Sequence, residues 1–473
     1  MKSLKQLTRF LFCIAVCLAL AACNKTHSSK KISPEVATQS RLDWNLKTTV
    51  GAYEEVGNTG LAWDEAATNA LAEFARNHSG VTPPDEPWAE IIRTNCIAAV
   101  QSSCDDPMIR YLYIRFCMSQ TNSSQDFAEA FCGVALDMEK SSYPDIRKFY
   151  AAQRAIDQLF YAYGTNTIDQ PVFRQVMPLI GKDLMSVIGD KTTPPEEAFE
   201  ACDAALASMT GDANAYAQAY SMIEPPLFAN WPDESPIWLL KGKAYIQMAW
   251  FARGSGYADT VTTQGWMAFS NNLAVADKSL NHAWELNPKD VRIPTIMIRV
   301  DEAEQKDRDE MELWFDRAMT LNPNNYEACE NKLHYLYPQW YGSRDDMVAF
   351  GKECAASTNW GGNVPLILSD AHREYWLYLN DAEEKSNYLK QADVWPDIKI
   401  AFDRFFELNP DATSYYHNYA WFAYKCEQWD TLNELIPKLG PINYSYFGGK
   451  EEFDKMVQLA KEHASKPAVA PPQ

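Results

Sequence analysis

Seven histidines, eleven cysteines and 63 acidic residues are the groups of this 473-residue chain whose chemistry is most versatile. Their spacing is uninformative for catalysis. No two histidines stand at metal-ligand spacing, HExxH is absent, and no cysteine pair has the CxxC spacing of a zinc ribbon or thioredoxin-type site. No GxGxxG, GxSxG or P-loop is present. Gly254-Ser255-Gly256 is too short to cradle phosphate and reads as a flexible turn. The acidic run Asp301–Glu312 lacks the fixed glycine and ligand order of a calcium loop, and reads as the solvated face and turn of a helix pair. Acid–base carboxylates need not be neighbours in sequence. An enzyme is therefore a third reading behind two binding functions, and no cofactor or metal is expected.

The N-terminus carries an address. Lys2, Lys5 and Arg9 precede the apolar run Phe10 to Ala22, which is 13 residues long. A membrane span needs about 20, whereas a secretory signal needs a basic start and a short apolar core. The run ends Leu20-Ala21-Ala22-Cys23, which resembles the lipobox of bacterial lipoproteins. That resemblance implies cleavage before Cys23 and a lipid on its thiol. Asn24, in place of Asp, implies the periplasmic face of the outer membrane in a Gram-negative host. Residues 24–40 are polar without an apolar period and read as a flexible tether.

Lys2, Lys5 and Arg9 are the only charges of residues 1–22, so removing them takes the formal charge from −20 to −23. A chain this acidic, with no long basic block, is expected to bind neither nucleic acid nor anionic headgroups. After export eight cysteines remain, an even number that permits four disulfides. Cys96 and Cys104 flank a turn, and Cys117 and Cys132 fall on consecutive helices. These four either close disulfides or serve as small buried apolar residues.

The elements that would position any site repeat along the chain. Glu285-Leu-Asn-Pro288 recurs as Thr320-Leu-Asn-Pro323 and Glu407-Leu-Asn-Pro410. Ala276, Leu280 and Ala283 precede the first proline; Met311, Phe315 and Ala318 precede the second; Ile398, Phe402 and Phe405 precede the third. Each triplet has identical spacing and falls on one helical face. The proline then stops the helix. Ser235-Pro236 opens a partner helix in which Trp238, Gly242 and Tyr245 stand at the spacing W-x2-K-G-x2-Y, with Lys241 before the glycine, and Gly242 would let that helix approach the next through Ala276 and Ala283. With a first interval of 35 residues, residues 235–440 resemble tetratricopeptide repeats. The pattern is loosened where 31 residues separate Tyr245 from Ala276, implying a longer helix or an inserted loop near Gly254–Gly265. One further unit is expected at 326–357 and another from Val364.

Upstream, Leu61–Arg76, Trp88–Val100, Pro107–Ser119 and Ser124–Met138 have helical period. Thr193-Pro-Pro-Glu196 reads as a capping box. With 47% hydrophobic residues the chain can bury large cores, and no alternating strand pattern is found. The expected fold is all-α, an α-solenoid of antiparallel helix pairs. Its expected segments are a signal peptide (1–22), a lipidated tether (23–45), a divergent helical region (46–230), a tetratricopeptide-like region (231–460) and a disordered tail (461–473).

The resemblance further implies a concave groove lined by the first helix of each pair. Aligned on the motif, its residues are Lys243, Gln247 and Trp250, then Thr295 and Arg299, then Glu330 and His334, and last His417, Trp421 and Lys425. Leu239 stands where a chaperone-tail clamp would have lysine, so that specificity is not implied. The aromatic stretch Tyr337–Ser343, with Trp340 and Tyr341, is a second candidate. The expected function is an anchored scaffold for a protein or peptide, selected through acidic and aromatic side chains. A glycan-binding lipoprotein is the alternative.

Overall fold

The computed structural model describes residues 34–56, 60–83, 86–118 and 123–463. The signal segment, Cys23, the start of the tether and the tail from 464 lie outside the described residues. Every regular element among the described residues is a helix, so the fold is all-α. The chain divides into two compact units, Met1–Ile237 and Trp238–Gln473. Within each, helices pack mainly on their neighbours in sequence as antiparallel pairs, the arrangement of an α-solenoid.

The first unit contains α1 (Pro34–Leu46), α2 (Asp64–His78), α3 (Trp88–Gln101), α4 (Pro107–Cys117), α5 (Ser124–Lys140), α6 (Asp145–Tyr163), α7 (Phe173–Gly189), α8 (Pro195–Ala207) and α9 (Ala213–Asn230). Local chemistry sets several starts. Asp106 caps α4, accepting from the Met108 and Ile109 amides at 2.9 and 3.0 Å, with Pro107 as the first helical residue. Ser123 and Asp126 form a reciprocal capping box on α5. The capping box expected at Thr193 is not formed. Its hydroxyl donates instead to the Val187 carbonyl at 3.0 Å, and α8 starts behind Pro194 without a side-chain cap.

The expected tether is corrected over residues 34–45, which are helical. This α1 runs on through a π-helical turn, Lys47–Gly51, into Ala52–Val56. It has no apolar stripe because polar groups hold it. Arg41 reaches Glu197 and Glu200 on α8 at 2.6 Å each, and Asn45 donates to Glu197 at 2.8 Å and to Ser79 at 3.0 Å. His78 Nε2 completes the cluster 3.2 Å from Glu197. Burial pushes the Glu197 carboxyl up, but His78, Arg41 and Arg147 outweigh it and hold the group well below the usual range. The donor atoms of His78, Glu197 and Glu200 lie within 4.8 Å of one another. Arg41 already supplies positive charge to both carboxylates there.

The second unit comprises α10 (Ser235–Arg253), α11 (Thr263–Leu286), α12 (Arg292–Glu304), α13 (Arg308–Leu321), α14 (Tyr326–Tyr335), α15 (Arg344–Ala356), α16 (Ile367–Tyr378), α17 (Ala382–Tyr388), α18 (Val394–Leu408), α19 (Tyr416–Lys425), α20 (Trp429–Leu435) and α21 (Lys450–His463). All nine residues of the repeated triplets are buried. The three helices carrying them end at Asn287, Asn322 and Asn409. Each asparagine leaves helical ψ before its proline, and its amide bonds the carbonyl of Ala283, Ala318 or Phe405. Gly242 is required by close packing, since a Cβ there would lie 2.5 Å from Leu280 Cγ. The long first interval is absorbed mostly by two extended helices, α10 and α11, joined by a short loop. Their extra length is packed by Ala249, Phe269 and Leu273, with Trp250 and Trp266 against them. The expected disordered tail is corrected at its start. Residues 461–463 finish α21, whose Phe453, Met456 and Ala460 are buried at helical spacing.

Candidate partner-binding face

In the second unit α12 packs on α14, and α14 on α16, so the first helices of three successive pairs lie side by side. Arg299 and Glu302 are three residues apart on α12 and share a face. The Glu302 side chain is fully buried, and its Oε2 accepts from Arg299 Nη1 at 2.9 Å. His334, on α14, places Nδ1 2.7 Å from the same oxygen. A carboxylate only accepts, so Nδ1 carries the hydrogen. Glu302 Oε1 has no hydrogen-bond partner among the described residues.

The loop after α14 closes over this group. The His334 ring lies 4.6 Å from Tyr337 and 5.9 Å from Trp340. The Tyr341 hydroxyl donates to the Glu302 carbonyl at 3.0 Å, and its ring stacks 4.6 Å from Tyr335. Burial, with Glu302 nearby, pushes the Tyr341 hydroxyl above its ordinary pKa. Tyr337 extends the face toward α16. Its hydroxyl is pushed up by burial and by a hydrogen bond to Glu374. Arg373 pairs with Glu374 at 3.0 Å and Asp370 at 3.3 Å, and Tyr326 donates to Asp370. Asn331 ties α14 to α12 by donating to the Thr295 carbonyl at 2.9 Å.

Arg299 and His334, expected from helix register, thus share one carboxylate, and Trp340 and Tyr341, expected from loop composition, pack beside His334 and on the Glu302 backbone carbonyl. Glu302 was not among the site candidates. Its position three residues after Arg299 was the available signal; the link to His334 left none. Glu330 keeps much of its surface exposed, and partial desolvation of its carboxyl, with Asp370 adding, pushes it up. Thr295 is buried, bonding the Val291 carbonyl and Asn325. The arrangement offers half-exposed aromatic surface among compensated charges, suited to stacking and short hydrogen bonds rather than long-range attraction of one sign.

The remaining candidates stand elsewhere. Lys243 and Gln247 are half-buried on α10, and Trp250 packs 5.2 Å from Phe269 beneath Arg253. The expected groove position of His417 is corrected. It is buried, with Nδ1 3.2 Å from the Ser414 carbonyl and Nε2 accepting from the Asn443 amide at 3.3 Å. The 3₁₀ turn Tyr444–Phe447 folds over it, which no spacing within α19 could reveal. Trp421 lies edge-on to Trp376, and Lys425 lies 5.7 Å from the Trp421 ring. Arg299, His334, His417 and Lys425 are therefore not one cationic cluster. The eight described cysteines are free thiols, and the Cys96 thiol hydrogen-bonds with Cys117. Cys104 and Cys132 are buried, and burial pushes each thiol up to about 11.

A family model described as a domain of unknown function (DUF4034) matches residues 275–359. That stretch holds Arg299, Glu302, His334, Trp340 and Tyr341 but is well under half of the chain, and the description carries no activity. No curated protein matches the sequence. Among solved structures, a human IFIT1 dimer with m7Gppp-AAAA is similar at 13% identity, with 90% of each chain covered and a TM-score of 0.27. A score that low carries no argument about fold or ligand. The helical-repeat architecture rests on the buried triplets, the asparagine–proline stops and the side-by-side first helices.

Proposed function

We propose that the protein is a lipid-anchored scaffold of the cell envelope, held by Cys23 at the outer membrane and facing the periplasm. It binds a protein or peptide partner on the face formed by α12, α14 and α16. The observation that carries the reading is the half-exposed aromatic loop, which packs Tyr337 and Trp340 against the His334 ring and ties Tyr341 to the Glu302 carbonyl. An apolar or aromatic side chain of the partner would cover these rings. Selection through acidic partner side chains loses its basis, because Arg299 and His334 already share Glu302. The aromatic loop takes over the selectivity. Glycan binding remains the second reading, since half-exposed Trp340 beside exposed Tyr341 also suits a sugar face.

The test is partner capture from detergent-solubilised membranes by full-length protein, with a glycan array run in parallel. The double substitution Trp340→Ala with Tyr341→Ala should remove the captured partner in protein that still melts cooperatively at a lowered temperature, while Lys425→Glu should keep it with little change in melting temperature. Undiminished capture by the loop variant would overturn the site. Saturable sugar binding without protein capture would replace the peptide reading.

A further inference from the structure

The first unit holds a partly open cavity of about 210 Å³ lined from α2, α4, α6 and α8. It belongs to the first unit, whereas the partner face belongs to the second, and it takes no part in that proposal. Its charged residues are mostly cationic: Arg115, Arg147 and Arg154 line it, with Asp157 the one carboxylate of the lining. Such a lining is unexpected in a chain of net charge −20.

Arg147 is the telling residue. It is 2% exposed, and its Nη2 donates to Asn45 and, at 2.7 Å, to Thr48 Oγ1. Both acceptors are neutral, on α1 and on the π turn that follows it. Nε and Nη1 have no partner among the described residues, and neither has the adjacent Tyr150 hydroxyl. Glu197, the acid that acts on Arg147 from nearby, is already bonded to Arg41, Asn45 and His78. A buried guanidinium with open donors is costly unless an anion meets it. One side of the wall is apolar and aromatic, formed by Phe74, Met108 and Tyr111, and His78 and Gln153 add neutral polar groups. The Phe74 ring lies 5.8 Å from the guanidinium carbons of both Arg115 and Arg147.

We propose that this cavity binds a small organic carboxylate. The carboxylate accepts from Arg147 and Tyr150, with Arg154 adding charge at the wall. An apolar or aromatic body fills the side of Phe74, Met108 and Tyr111. The volume exceeds the roughly 150 Å³ of an apolar cavity that accommodates benzene, the scale of a one-ring acid. An inorganic oxyanion would meet the donors but leave the apolar wall empty.

Isothermal titration of the full-length protein with benzoate, phenylacetate and 3-phenylpropionate tests this. At least one should bind saturably, and phenylacetamide, which has the shape of phenylacetate without its charge, should bind at least tenfold more weakly. Arg147→Lys should weaken binding at least tenfold. Because Arg147 is buried and a variant there can fail to fold, Arg154→Gln and Tyr150→Phe are measured beside it, each with its melting curve. They should weaken binding several-fold while remaining folded. Absence of saturable binding by all three acids, equal binding of the amide, or unchanged affinity in both wall variants would overturn the proposal. Inorganic phosphate binding as tightly as the best acid would overturn the assignment to an organic carboxylate.

Discussion

His334 Nδ1 lies 2.7 Å from Glu302 Oε2, so one buried carboxylate joins α14 to α12 and holds the aromatic loop against both. Glu302→Gln would leave Arg299 and His334 a neutral amide oxygen in place of their shared carboxylate. Removing one member of a buried ionic group is costly, but Arg299 and His334 are about a third exposed and water can re-solvate them. The expected loss is about 1–3 kcal/mol, read as a lowered urea midpoint. A variant as stable as wild type would show that the link does not hold the two helices.

Asp301, one residue earlier, is 1% exposed, and its Oδ2 is unpartnered. Burial pushes its carboxyl up to about 7; Lys306 opposes the shift, while Glu310, Asp277 and Glu304 add to it. Unfolded, an aspartate titrates near 3.8. Between these values the folded chain holds a proton that the unfolded chain has lost, so this group makes stability fall as pH rises. Asp301→Asn should remove that slope. Urea midpoints at pH 5 and pH 8 should therefore differ less in the variant than in wild type, and equal differences would contradict the assignment.

The repeat seam makes a packing prediction. Ala283 and Ala318 are fully buried, so tryptophan at either should cost on the order of 1–3 kcal/mol or more by overpacking. Lys243→Trp, at a half-buried position, should cost much less. Thermal melts giving the reverse order would refute the helix register.

Arg41 ties α1 to α8 through Glu197, whose side chain is fully buried. Arg41→Ala should destabilise the first unit by about 2–4 kcal/mol, because the carboxylate keeps only His78 and Asn45. Limited proteolysis should then cut earliest within residues 34–56. The native Glu197 pKa is depressed, so its stabilisation is complete above the ordinary value of 4.5 and is lost as pH falls below it. Acid unfolding should accordingly shift less with pH in the variant. A digestion pattern identical to wild type would count against this role for Arg41.

The anchor is tested directly. Cys23→Ser should abolish incorporation of labelled fatty acid and release the protein from the membrane fraction. Equal labelling of wild type and variant would reject Cys23 as the lipidated residue.

Much of the second unit was legible in the chain because its rules are local. The triplets Ala276-Leu280-Ala283, Met311-Phe315-Ala318 and Ile398-Phe402-Phe405 repeat at helical spacing, and the proline after each asparagine stops the helix by excluding helical backbone before it. Those features fixed the all-α architecture and the pairing of neighbouring helices. The tether was misread over residues 34–45 because α1 is held by polar contacts. Arg41 and Asn45 meet Glu197 across more than 150 residues, and such contacts leave no apolar period.

Hydrophobic burial repeats with the helix and therefore writes its geometry into the sequence. Hydrogen-bond partners need only meet in space, so their pairing is decided by the fold. Helix register placed Arg299 and His334 on comparable faces, but only the tertiary structure put both on Glu302 and brought Trp340 and Tyr341 beside them. It likewise buried His417 under a turn from beyond its own helix, and it left Arg147 with open donors in a cavity assembled from four helices.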